Sequence, residues 1–264
     1  MIYVLLPAYN EERGIGEVLK KIREMPAKTG KKFRVVVVDD GSKDRTSEVV
    51  QGFTDDLDIQ LFRFEKNQGV LEVFRKGFGF VVQESCNPEE DICINLDSDD
   101  TQDVYAMGEM IQKIEEGADI VIASRFTGFG KMTGVPFIRC VFSYGVSWLM
   151  QFVVGIPHVK DYSTFYRAYR VKTLQTGFER YGNRLLEGVG FSVITSFLIK
   201  LANLTDRLVE VPHVLHYEAK ESQSGNRILK TIAGYFKIIF ECWTTNQYRN
   251  LENRPSQMSV PSRL

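Results

Sequence analysis

Apolar residues in the first half of the chain follow two alternating rhythms. Short apolar runs at residues 2–6, 33–38, 59–64, 92–96 and 120–123 predict buried strands, several of them rich in Val and Ile. Between them, Ile15/Val18/Leu19/Ile22, Leu71/Phe74/Phe78/Val81/Val82 and Met107/Met110/Ile111/Ile114 recur at helical spacing. This alternation predicts an α/β fold, a doubly wound and mostly parallel sheet with helices on both faces. Such sheets bind ligands beyond the carboxyl ends of their strands, so the residues just after each run carry the most weight.

The rhythm changes after residue 125. Residues 140–159 hold no charged side chain apart from a neutral His158, which approaches the roughly 20 residues of a membrane span. Ser143, Gly145, Ser147, Gln151, Gly155 and Pro157 dilute it, so an interfacial or buried helix is expected rather than a span. Farther on, Ile228, Leu229, Ile232, Tyr235, Phe236, Ile239, Phe240 and Trp243 share one helical face, which suits packing on the core or docking at a membrane surface. Residues 249–264 are polar, without periodicity, and read as a flexible tail.

Composition refines this picture. The chain has 264 residues, 44% of them apolar, with 33 Lys and Arg against 34 Asp and Glu. That excludes a disordered chain, a coiled coil and a disulfide-stapled miniprotein. The net charge of −1 hides a segregation: residues 1–124 sum to −10, residues 125–184 to +7 and residues 185–264 to +2. The basic stretch suits phosphate or an anionic surface; no nucleic-acid partner is expected. Four dispersed cysteines and no legible secretory leader predict a cytoplasmic setting.

Three strand ends carry polar clusters: Pro7-Ala8-Tyr9-Asn10-Glu11-Glu12, Asp39-Asp40-Gly41-Ser42 and Asp97-Ser98-Asp99-Asp100. In the last, Asp97 and Asp99 lie two residues apart on an extended chain, so both carboxylates can approach one hard cation while substrate phosphates complete its shell. No glycine-rich phosphate loop is present, so a divalent ion with nearby Arg or Lys is the means left to neutralise a diphosphate.

With Asn67-Gln68-Gly69 and Ala123-Ser124-Arg125-Phe126, these clusters resemble, in order and spacing, glycosyltransferase family 2 with its GT-A fold. Residues 161–170, Glu187-Gly188-Val189-Gly190-Phe191 and Glu210-Val211-Pro212 resemble the branch of dolichol-phosphate mannose synthases and related polyprenyl-phosphate glycosyltransferases. The resemblance implies a donor and metal half at 1–124 and an acceptor half at 125–226, followed by the amphipathic helix at 227–248. It implies that Pro7, Tyr9, Glu11, Val38, Asp40 and Ser98 surround the nucleotide-sugar, that Asp97 and Asp99 hold Mg²⁺ or Mn²⁺, and that Arg125 approaches the phosphates or sugar. Lys220 and Ser224 loosely match the acceptor-phosphate stretch. Two positions depart from the pattern: Thr101 stands where Gln is usual, with Gln102 one place later, and His216 where Arg is frequent.

The implied activity is metal-dependent inverting transfer of a hexose, mannose or glucose, from a nucleotide-diphosphate sugar to a polyprenyl or dolichyl phosphate. It would run on the cytosolic membrane face, with a membrane-anchored subunit as a conceivable partner. The alternatives are a non-lipid glycan acceptor and a non-catalytic nucleotide- or membrane-binding module. A lipid phosphate is already anionic and needs no strong base; a sugar hydroxyl does, and Asp161 is then the candidate, unless it is an ion pair with Arg167 or Arg170.

Overall fold

The computed structural model describes residues 1–188, 190, 192–219, 234, 235, 238 and 240. The five expected strands are all present as β1 (Ile2–Ala8), β2 (Phe33–Asp39), β3 (Ile59–Arg63), β4 (Ile92–Asn95) and β5 (Ile120–Ser124). The helices between them are α1 (Gly14–Thr29), α2 (Thr46–Gln51), α3 (Val70–Glu84) and α4 (Met107–Glu115). The second half adds β6 (Lys131–Thr133), α5 (Phe137–Val153), β7 (Arg167–Arg170), α6 (Val171–Tyr181), α7 (Ser192–Ala202), β8 (Leu208–Pro212) and β9 (Val214–His216).

Seven strands form one sheet in the order β3-β2-β1-β4-β7-β5-β8, and β6 pairs with β9 in a small second sheet. All pairings in the large sheet are parallel except those of β7, which is antiparallel to both β4 and β5. Successive strand side chains feed opposite faces, which is why the central strands read as mainly apolar runs and not as alternating ones. Tyr3, Leu5, Val36 and Val38 pack on one side with α3, α6 and α7; Ile2, Val4, Leu6, Val35 and Val37 pack on the other with α1 and α4.

The chain passes outward from β1 to β2 and β3, then returns to place β4 on the other side of β1. Since α1 and α4 pack on the same face, the loops leaving β1 and β4 run side by side at the carboxyl ends of the strands, where such sheets bind ligands. Pro7–Glu12 and the Asp97/Asp99 pair line the crevice at this end of the sheet.

The uncharged stretch near 140–159 forms α5, which buries Val146, Ser147 and Met150 and leaves Phe137, Ile138, Val141, Tyr144, Trp148 and Phe152 exposed. Among the described residues no helix is long and apolar enough to cross a membrane. Of the expected C-terminal helix, Tyr235 and Ile238 are buried in the core and Phe240 is exposed. The remainder of 227–248 and the tail at 249–264 lie outside the described residues.

Candidate active site

The three polar strand ends converge and are stitched together by hydrogen bonds from one loop to the next. Asn10 and Ser42 bind each other's neighbourhoods: the Asn10 N–H donates to the Ser42 hydroxyl (2.9 Å), and the Lys43 N–H to the Asn10 side-chain oxygen (2.8 Å). The Glu11 N–H donates to Thr46 Oγ1 and the Glu12 N–H to Asp44 Oδ2 (2.9 and 3.1 Å). Asp39 closes its own turn by accepting from the Ser42 N–H (2.8 Å) and from the Ser47 hydroxyl. Much of the motif thus serves to hold two loops in register, which satisfies backbone groups that would otherwise be stranded at the strand ends.

Asp40 is buried and its carboxylate accepts from the N–H groups of Gln68 and Gly69 (2.6 and 2.9 Å), so it anchors the Asn67-Gln68-Gly69 loop. Burial pushes its carboxyl up from the usual range, against the pull of those two N–H groups. Gly41 is required beside it: it sits at φ +72°, and a Cβ there would meet the Lys66 backbone at 2.6 Å. Pro7 is half-buried and Tyr9 exposed at 40%, so both present surface at the crevice. Two expected ligand contacts are reassigned. The Val38 side chain is fully buried because strand alternation sends it into the core, and it offers a nucleoside no surface. Ser98 is also buried, and its hydroxyl donates to the Pro7 carbonyl (2.8 Å), tying the β4 loop to the end of β1.

Asp97 is half-buried and Asp99 nearly buried beside it. Each is oriented by a residue downstream. Gln102 Nε2 donates to Asp97 Oδ2 (2.8 Å), while Thr101 donates to Asp99 Oδ1 through its hydroxyl (2.6 Å) and N–H (3.2 Å). Asp100 is drawn off by Lys21 (2.6 Å). Among the described residues no cluster of three or more His, Cys, Asp or Glu could hold a metal ion by itself. Two hard carboxylates fit Mg²⁺ or Mn²⁺ as part of a shell whose other oxygens come from phosphates and water.

Across the crevice, Arg125 and Asp161 form a nearly dry pair. Arg125 Nε and Nη2 donate to the two carboxylate oxygens at 2.7 Å each, and the N–H groups of Arg125, Ser163 and Thr164 add three more bonds at 3.1–3.2 Å. Burial alone would raise the Asp161 carboxyl; the Arg125 charge and these hydrogen bonds outweigh it and hold the carboxyl below its usual range. The partner is Arg125, not the expected Arg167 or Arg170. Arg167 donates to the carbonyls of Tyr162 and Ile194, and Arg170 to Asp119. Arg125 Nη2 also donates to Ser163 Oγ (2.7 Å), which lies 3.3 Å from Ser143 Oγ of α5.

Sequence reasoning missed four residues here. Ser143 and Ser163 carry no local signal. Glu210 was seen only as part of a motif; its Oε1 accepts from the N–H groups of Lys160 and Asp161 (2.7 Å each), and burial raises its carboxyl. His213, which follows β8, is buried with neither ring nitrogen hydrogen-bonded. Lys220 and Ser224 lie outside the described residues.

Several relatives of this chain are named as sugar transferases. The chain is 29% identical to the dolichol-phosphate mannosyltransferase of Pyrococcus furiosus over 245 residues, covering 90% of this chain and 62% of the relative, so it spans about three-fifths of that protein's length. It is 25% identical to the undecaprenyl-phosphate 4-deoxy-4-formamido-L-arabinose transferase of Edwardsiella ictaluri, covering 95% of this chain and 70% of the relative. In fold it is similar to glucosyl-3-phosphoglycerate synthase of Mycobacterium tuberculosis, crystallised with Mn²⁺ and UDP-glucose; the TM-score is 0.60 at 16% identity, covering 90% of this chain and 76% of that one. The sheet is that of a GT-A glycosyltransferase. Residues 3–178 match the glycosyl transferase family 2 pattern, and the chain belongs to that family.

Proposed function

We propose that this protein transfers a hexose, mannose or glucose, from a nucleotide-diphosphate sugar to a polyprenyl phosphate at a membrane surface, with inversion at the anomeric carbon. The observation that carries this is the Asp97/Asp99 pair at the switch point of the sheet, facing Arg125 and the two serines that run from it to an apolar helix. The names of the mannose- and formamidoarabinose-transferring relatives support the lipid phosphate acceptor.

In this reading Pro7, Tyr9 and the loop anchored by Asp40 receive the nucleoside. Asp97 and Asp99 hold Mg²⁺ or Mn²⁺, which supplies Lewis-acid stabilisation of the departing diphosphate. The acceptor phosphate oxygen is anionic on arrival and attacks without a strong base. Arg125, fixed by Asp161, presents a guanidinium beside Ser163 and Ser143, the donors that a phosphate approaching along α5 would meet. Asp161, with five N–H donors already on it, acts as the positioning residue for Arg125 in this scheme.

Peripheral membrane association belongs to the same proposal. The outer face of α5 and the adjacent Phe129 expose large apolar side chains, with Phe137, Trp148 and Phe152 at 82, 70 and 79%. A helix apolar on both faces calls for a second apolar medium. Its surrounding segment carries +7, which suits an anionic bilayer. Incubation with radiolabelled GDP-mannose or UDP-glucose, polyprenyl phosphate and Mn²⁺ should move label into the organic phase. Label confined to a soluble glycan would reject the lipid acceptor.

A further inference from the structure

The residue that departs from the family pattern after the acidic pair has a definite place. Gln102 is buried, at 5% exposure, and both ends of its amide are spent on Asp97. Its Oε1 accepts from the Asp97 N–H (3.0 Å) and its Nε2 donates to Asp97 Oδ2 (2.8 Å). The two contacts fix the amide orientation, because the reversed amide would set its oxygen against the carboxylate. The backbone of Gln102 is held in turn: it forms an antiparallel bridge with Leu215 of β9, and the His216 N–H donates to the Thr101 carbonyl (2.8 Å). Strand β9 is braced on its other side by β6, where Thr133 donates to the Leu215 carbonyl (3.1 Å), and next to it Arg139 of α5 donates to the Tyr217 hydroxyl (2.7 Å).

We propose that Gln102 is a positioning residue: it fixes the Asp97 carboxylate for the divalent cation, and β9 holds it there, so the acidic pair is oriented from the acceptor half of the molecule. The inference rests on the metal role of Asp97 and Asp99 proposed above. A neutral donor is suited to the task, since it orients the carboxylate without the competing charge that a Lys or Arg would bring against a cation. Outer partners of metal-binding side chains contribute typically tenfold to a hundredfold in affinity.

The test is Mn²⁺ titration of the full chain in the presence of GDP or UDP, with free Mn²⁺ read by electron paramagnetic resonance, for wild type and Gln102→Leu. The variant should bind Mn²⁺ at least tenfold more weakly, while its melting temperature without metal stays close to wild type. Its transfer activity should recover most of the wild-type kcat at saturating Mn²⁺. Gln102→Asn keeps the amide and loses its reach; it carries the same expectation should the Leu variant not fold. Unchanged Mn²⁺ affinity in a folded variant overturns the role of Gln102 and leaves the metal site standing. Absence of saturable Mn²⁺ binding in the wild type overturns the metal reading, and this inference with it.

Discussion

Gly14, the first residue of α1, lies against the backbone of Asp99: a Cβ at Gly14 would fall 2.8 Å from Asp99 Cα and 2.8 Å from the Ser98 carbonyl oxygen. Both obstacles are main chain, so no side chain can rotate away. Gly14→Ala must displace either the helix start or the acidic loop. Overpacking of this kind costs roughly 1–3 kcal/mol of stability. The activity loss should exceed what that implies, because the displaced segment is the one proposed to hold the cation. We expect kcat/KM to fall at least about tenfold, about 1.4 kcal/mol in the transition state, at a temperature where the variant remains folded. Steady-state kinetics at several Mn²⁺ concentrations checks this, and wild-type rates in a folded Gly14→Ala protein would contradict the packing argument.

Arg125 and Asp161 depend on each other in a setting where neither charge can be left alone. Removing one partner of a buried pair costs about 3–5 kcal/mol, most of it the exposure of the survivor to a medium that cannot solvate it. Asp161→Leu and Arg125→Met should each destabilise by that order, and the double variant should cost clearly less than their sum. Denaturant melts of the three proteins give the coupling directly; additive losses would mean that water already screens the pair. The sign with pH follows from the depressed Asp161 carboxyl. Its stabilisation is present above the unfolded carboxylate value and is lost as pH falls through the lower folded value. The pair is therefore intact at neutral pH and fails only in strong acid.

The five leading strands were legible because burial writes them as short, mainly apolar runs, complete in β1, nearly so in β5 and interrupted by Arg34, Gln60, Arg63 and Asn95 in β2, β3 and β4. β7 was not, since Arg167 and Arg170 bracket it: its charges are hidden by carbonyl oxygens and Asp119 contributed from distant segments. The same limit applies to the site. Asp97 and Asp99 stand out because two acids follow an apolar strand. The tasks of Ser98, Asp40 and Val38 do not, since a hydroxyl that ties two loops, a carboxylate that anchors one and a core valine look alike in sequence beside ligand-binding residues. Asp161 was identified as important without its partner, because the pairing with Arg125 spans 36 positions and depends on how the acceptor half folds back.

His213 is a buried imidazole whose ring meets Tyr166 edge to face (5.2 Å), with neither nitrogen hydrogen-bonded. Burial is the main cause that lowers its pKa from 6.5 to about 4; Arg125 and His216 add to this, and Asp103 and Asp161 oppose it. The unfolded chain therefore takes up a proton between these values and the folded chain does not, so stability falls as pH drops from 6.5 towards 4. At pH 5 the loss from this one group is roughly 2 kcal/mol. His213→Phe keeps the ring contact and removes the titration. Its stability relative to wild type should rise by about that amount between pH 7.5 and pH 5. A difference that does not change with pH would show that the imidazole is hydrated and titrates normally.

In the proposed membrane docking, the exposed face of α5 and the charge of its surroundings should make separable contributions. Electrostatic attraction to anionic lipid is screened over roughly 8 Å at physiological ionic strength, so raising salt should weaken binding to phosphatidylglycerol-containing vesicles. Apolar contact is insensitive to salt, and a large side chain fully transferred from water gains about 1.5–3 kcal/mol. Trp148 and Phe152 stack on each other (6.2 Å) at the exposed end of the helix and make no part of the described core. The double variant Trp148→Glu with Phe152→Glu should therefore fold normally and lose at least about tenfold in vesicle affinity at both low and high salt. Activity on a short, water-soluble polyprenyl phosphate should fall much less than activity on long-chain acceptor in vesicles. Cosedimentation and the two assays test this together. Unchanged vesicle binding would move the contact to the segment after residue 219, and a concentration-dependent dimer abolished by the same variant would assign the face to a second copy of the chain.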